Sequence, residues 1–181
     1  TRRSSDLKHI ISSRSFGTGV NDVNSLLASY SYHCENLSRK LSKQGLFAQQ
    51  IIIFANSSRF KNDYFSSAKS IILPQATNSF RHLMPYVTSI INDIYKPNII
   101  YKKTGIIVSD VISCKMEQRD LFDQVNINHD PILDALQMIK GKFGSDSIKL
   151  ATSNLSDKWH MNNNFRSPRY TTDISDLIMA S

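Results

Sequence analysis

A β-branched, serine-rich run over residues 8 to 16, Lys-His-Ile-Ile-Ser-Ser-Arg-Ser-Phe, reads as a strand that stops at Gly17-Thr18-Gly19. A helix follows. Asn21 or Asp22 serves as its N-cap, and Val23, Leu26, Leu27, Tyr30, Cys34, Leu37 and Leu41 recur at helical spacing until Gly45 ends it. Ala48 to Ala55, centred on Ile51-Ile52-Ile53-Phe54, is the clearest strand pattern. After a polar loop from Asn56 to Ser67, a second strand over Ala68 to Leu73 is closed by Pro74, and the two are expected to pair as a hairpin. Asn78 or Ser79 opens another helix with Leu83, Val87, Ile90, Ile91 and Ile94 on one stripe. Pro85 interrupts that stripe, so the ordered helix is expected to begin near Met84 or to bend there. Ile99 to Ser109 supplies the fourth strand.

The order β-α-β-β-α-β predicts an α+β domain, with a four-stranded sheet carrying both helices on one face and leaving the other free. Residues 114 to 129 are polar and without a clear period, apart from Leu121-Phe122. Asp130-Pro131 is a helix start, followed by an apolar stripe that Gly144 stops. A short strand over Ile148 to Ala151 is expected next, before a tail holding Trp159 and the segment Arg166 to Thr172. The chain thus divides into residues 1–113, a linker over 114–129 and a C-terminal extension over 130–181.

Charge sharpens this division. Residues 1 to 109 hold 14 Lys or Arg against 5 acids, whereas residues 110 to 181 hold 8 against 10. A basic domain followed by a near-neutral tail is what a polyanion-facing first part requires, with a merely solvated basic surface as the plain alternative. Lys8, Arg14, Arg59, Lys61, Lys69, Lys102 and Lys103 fall on strands or strand ends, interleaved with serines that let backbone N–H groups approach phosphates. Aromatic residues for stacking on single-stranded bases are sparse there, Phe16 and Tyr101 being the candidates, which favours gripping of a duplex backbone.

Enzymatic constellations are missing from this reading. The acids of the first part, Asp6, Asp22, Glu35, Asp63 and Asp93, are scattered, and two-metal chemistry needs them convergent. His33, Cys34, His82, Cys114 and His129 lack zinc-ligand spacing, so no metal site is expected. Cys34 lies on an apolar stripe and reads as an inert core thiol. A small hydrolase binding an acyl phosphate through Arg14 and Asn56, and a single-strand RNA module, are the competing classes. No apolar run approaches the roughly 18 residues of a membrane span, and two cysteines make no disulfide framework, which points to a reducing cytosol. The chain begins with Thr1 and is expected to be a piece of a longer protein.

Gln118-Arg119-Asp120-Leu121-Phe122 has a polar head followed three residues later by Leu-Phe, a pattern a peptide can insert into a hydrophobic cleft, although such pairs are more often core. Four segments resemble the C-terminal portion of the UmuC-like Y-family translesion DNA polymerases: Ile10 to Gly17, Tyr101 to Asp110, Gln118 to Phe122, and Ser167 to Thr172. The resemblance spans essentially the whole chain, in order. It implies a little finger domain plus extension, with the catalytic carboxylates and their magnesium in a palm that precedes Thr1, and no cofactor here. It further implies that Ser13, Arg14, Ser15, Arg59, Ser67, Lys69, Lys102 and Lys103 contact duplex primer-template DNA. Gln118, Leu121 and Phe122 would dock on the sliding clamp, and UmuD′ and the RecA filament would be partners of the whole error-prone, SOS-linked enzyme. Two positions depart from the pattern: Arg119 stands where a leucine is frequent, which weakens the dock, and Pro85 interrupts a helix that commonly lacks it.

Overall fold

Four strands and two helices alternate as β1 (Ile10–Val20), α1 (Val23–Gln44), β2 (Leu46–Ser57), β3 (Ser66–Thr77), α2 (Phe80–Ile94) and β4 (Tyr101–Ser113) in a computed structural model of the chain. A third helix, α3 (Pro131–Phe143), and a 3-10 helix over Ala151–Asn154 follow. The structure describes residues 9–60, 63–113, 131–144, 147–154, 156, 158–161 and 167. The strands form one antiparallel sheet in the order β1-β4-β2-β3.

α1 starts and stops as its residues dictate. Asp22 accepts a hydrogen bond from the Ser25 backbone N–H at 2.8 Å, and Gly45 closes the helix at φ +64° with its own N–H turned back to Leu41 and Ser42. Leu26, Tyr30, Cys34, Leu37 and Leu41 from α1 and Leu83, Val87, Ile91 and Ile94 from α2 are buried against Ile51, Ile53, Ala55, Ile106 and Val108 of the sheet. Each of the larger side chains contributes roughly 1.5–3 kcal/mol by leaving water. Cys34 is fully buried and its thiol is pushed up to about 12 by burial, so it stays protonated and inert.

Several boundaries differ from the sequence-based expectation, β2 and β4 among them, and four of the departures have a visible reason. β1 runs through Gly17-Thr18-Gly19 to Val20, because the irregular register between Ser15 and Val20 absorbs the glycines inside the strand. β3 runs past Pro74 to Thr77. It is an edge strand, and Pro74 lies within the irregularity that opposes Ala48–Gln50, where a missing N–H breaks no ladder. α2 begins at Phe80, and Pro85 sits inside it, leaving the carbonyl of exposed Arg81 without a helical donor. Residues 148–151 form no strand: Ile148 to Leu150 are irregular and Ala151 opens the 3-10 helix.

Between α1 and the sheet lies a small polar layer in an otherwise apolar core. His33 is buried and bonds through both ring nitrogens, Nδ1 to Ser12 Oγ at 3.0 Å and Nε2 to Thr104 Oγ1 at 3.4 Å. Thr104 Oγ1 also meets Ser29 Oγ at 2.5 Å. Burial, reinforced by the nearby charges of Arg14 and Lys40, lowers the His33 pKa to about 3, so the imidazole is neutral.

Candidate nucleic-acid interface

Directly paired residues of neighbouring antiparallel strands share a face, so the register assigns every strand position to the helix side or the open side. Ser15, Lys103, Asn56 and Ser66 form one row across the open face. Ser13, Gly105, Phe54 and Ala68 form the next, and Ile11, Ile107, Ile52 and Ser70 a third. The first row is polar, with Ser66 Oγ donating to Asn56 Oδ1 at 2.9 Å. Towards the far end Ile11 is 49% and Ile72 70% exposed, with Ile72 opposite Gln50.

Gly105 keeps the middle of this face shallow. A Cβ at that position would stand 2.6 Å from both Phe54 Cζ and Ser13 Cβ. The Phe54 ring therefore lies across β4 where any larger residue would lift it. Gly105→Ala is expected to cost about 1–3 kcal/mol through overpacking, read as a lower urea midpoint; unchanged stability would contradict the packing of Phe54 on this row.

The eight residues singled out for DNA contact do not converge on one surface. Ser13, Ser15 and Lys103 lie on the open face. Ser67 and Lys69 pair with Ala55 and Ile53 and so fall in the helix-side register, although Lys69 is exposed beyond the helices on the edge strand. Lys102 sits in the irregular stretch of β4, where its Nζ donates to the Gly17 carbonyl at 2.8 Å. Arg59 is exposed in the β2–β3 loop, next to a Phe60 that is 100% exposed.

Arg14 turns to the helix side. Its guanidinium stands 5.2 Å from the centre of the Tyr32 ring and 5.8 Å from that of Trp159, which itself stacks on His160 at 4.1 Å. Asn56 faces the opposite side of the sheet, so the acyl-phosphate pair proposed from sequence is not assembled. Phe16 and Tyr101, the stacking candidates, are both buried in the core. Phe54, Gly105 and Ala68 were missed by the sequence reading, although the period-2 alternation through Ile52, Phe54 and Asn56 marks that face of β2.

Gln118, Leu121 and Phe122 lie outside the described residues. Among the described residues no group of three His, Cys, Asp or Glu is placed to hold a metal ion, and no helix is long and apolar enough to cross a membrane.

The impB/mucB/samB family C-terminal domain matches residues 7–121, more than half of the chain. The chain belongs to this family. Residues 130–180 match a second description, a domain of unknown function. Curated relatives match over nearly the whole chain: protein UmuC of Salmonella typhimurium is 25% identical over 175 residues, covering 94% of this chain and 42% of the relative. Protein ImpB of Salmonella typhimurium is 24% identical and protein MucB of Escherichia coli 23%, each covering 96% of this chain and 42% of the relative. The chain therefore spans well under half the length of the family members it matches. A solved complex titled as that of a beta-clamp processivity factor and the little finger domain of PolIV aligns with a TM-score of 0.46 at 12% identity, covering 63% of this chain and 97% of that one.

Proposed function

We propose that this member of the family is the duplex-gripping and clamp-tethering part of a longer error-prone translesion DNA polymerase, acting in the cytosol, with the polymerase chemistry and its magnesium held elsewhere in the whole protein. The observation that carries the DNA reading is the flat open face: Gly105 lets the Phe54 ring lie flat across β4, and exposed Ser13, Ser15 and Lys103 border it with two hydroxyls and a charge. Small side chains beside exposed cations suit phosphate oxygens and carry no base code. Arg59 in the exposed β2–β3 loop and Lys69, exposed on the edge strand although in its helix-side register, add positive charge at the β3 margin of the sheet.

Residues 1–113 would act as the grip, 114–129 as the tether through Gln118, Leu121 and Phe122, and 130–181 as an added element. UmuD′ and the RecA filament belong to the same reading as partners of the whole enzyme. Affinity for primer-template duplex is expected to fall steeply with salt, with a slope near −0.9 for each phosphate neutralised, and to vary little with sequence. Lys103→Glu is expected to weaken all duplexes alike and to flatten that slope by about one phosphate. Binding that ignores salt, or strong base preference in an anisotropy titration, would overturn the grip.

A further inference from the structure

On the helix side of the sheet, away from Lys103, a cleft of about 890 Å³ separates α1 from α3 and the segment around Trp159. Its floor is apolar: Phe80, Leu133 and Trp159 are buried and Leu136 is half-buried. Its rim is cationic, with Arg14, Arg39 and Lys43 along one wall. Among the described residues Glu35 is the one acid lining it, and that carboxylate is engaged by Lys140. The cleft continues past Arg14, Tyr32 and Asn36 into a second hollow of about 300 Å³ beside the outer edge of β1.

Two donors in this wall have no acceptor among the described residues. Trp159 is 1% exposed and its Nε1–H is unpaired, as is the buried Nε2 of Gln137. Buried donors normally find partners. Here the unmatched groups are donors and the rim charge is mostly positive, so the ligand that fits is one made of acceptors. We propose that this cleft docks an extended segment of a partner protein that carries carboxylates and large apolar side chains together.

Charge complementarity supplies the carboxylates, and the floor supplies the requirement for apolar groups. A nucleic-acid backbone would satisfy the rim and leave Phe80, Leu133 and Leu136 facing phosphates. Trp159 is too deeply buried to stack on a base. The two hollows adjoin through Arg14, Tyr32 and Asn36, which gives room for one extended chain from α3 to β1. This inference goes beyond the duplex-binding reading and does not depend on it, since the two surfaces lie on opposite sides of the sheet.

The test uses the full chain and a fluorescein-labelled peptide of repeated Asp-Leu-Ser units. Trp159 is the single tryptophan, so its emission reports occupancy of the cleft directly. The peptide is expected to bind, to shift Trp159 emission, and to lose at least about tenfold in affinity to Arg39→Glu combined with Lys43→Glu. Both side chains are exposed on α1, so that variant keeps the core intact. A peptide with Lys in place of Asp is expected not to bind. Absence of binding, unchanged affinity in the double variant, or unchanged Trp159 emission overturns the proposal. Displacement of the peptide by a duplex oligonucleotide would make it a nucleic-acid site instead. Markedly tighter peptide binding by Asp173→Asn with Asp176→Asn would show that the chain's own acidic segment fills the cleft, which also overturns a partner in trans.

Discussion

Replacing Leu121 and Phe122 together by Ala is expected to weaken binding to a sliding clamp by at least about a hundredfold. Full burial of each side chain contributes roughly 1.5–3 kcal/mol, and every 1.4 kcal/mol is about tenfold in the dissociation constant. Two such anchors seated in one apolar pocket therefore account for most of the affinity of a short peptide, with Gln118 fixing its register. The consequence for a polymerase is larger than the contact itself, because a tether converts a second encounter with DNA into an intramolecular one. Fluorescence titration of the clamp with the wild-type and doubly substituted chains decides the matter, and equal binding by the two would end the docking role.

Acidification from pH 7 to pH 5 is expected to remove about 2 kcal/mol of stability that His33→Gln does not lose. His33 is neutral in the fold, with a pKa near 3 caused first by burial and then by the charges of Arg14 and Lys40. In the unfolded chain it returns to about 6.5. Between those values the unfolded state binds a proton that the folded state refuses, so stability falls as pH falls, by roughly 1.4 kcal/mol for each unit below about 6.5. Other groups titrate in both proteins, which is why the difference between them is the quantity to measure. Urea unfolding at the two pH values gives it directly, and equal losses in both proteins would mean that His33 is not held neutral.

The elements of the domain were legible because their signals were local. Asp22 and Gly45 bound α1 as caps, and the Ile51–Ile53 run marks a central strand buried on its helix side. The ends of β1 and β3 were not legible, because Gly17–Gly19 and Pro74 stop a strand only when a regular ladder surrounds them. Here an irregular register and an open edge accommodate them. The candidate interface was misread for another reason. Ser13, Arg14 and Ser15 are neighbours in sequence, but a strand sends consecutive side chains to opposite faces, and the buried Ile10 and Ser12 already place Arg14 with the helices. The same parity separates Lys69 from Ala68 and Ser70. Cleft residues brought together from α1, α3 and Trp159 leave no local trace at all, since packing between distant segments joins them.

β1 has partners on both flanks, and both come from far along the chain. On one side its residues pair with β4, Ile10 opposite Val108. On the other, Gly17 N–H donates to the His160 carbonyl at 3.2 Å and Thr18 Oγ1 to the Lys158 carbonyl at 3.1 Å. Closing such separations costs chain entropy before any contact forms, whereas the β2–β3 hairpin closes locally. Assembly is therefore expected to run outward from the hairpin, with β4 adding to β2 and β1 arriving afterwards. The strand nearest the start of the sequence is the last to be enclosed, and its outer edge stays open to other strands until residues 158–160 are in place.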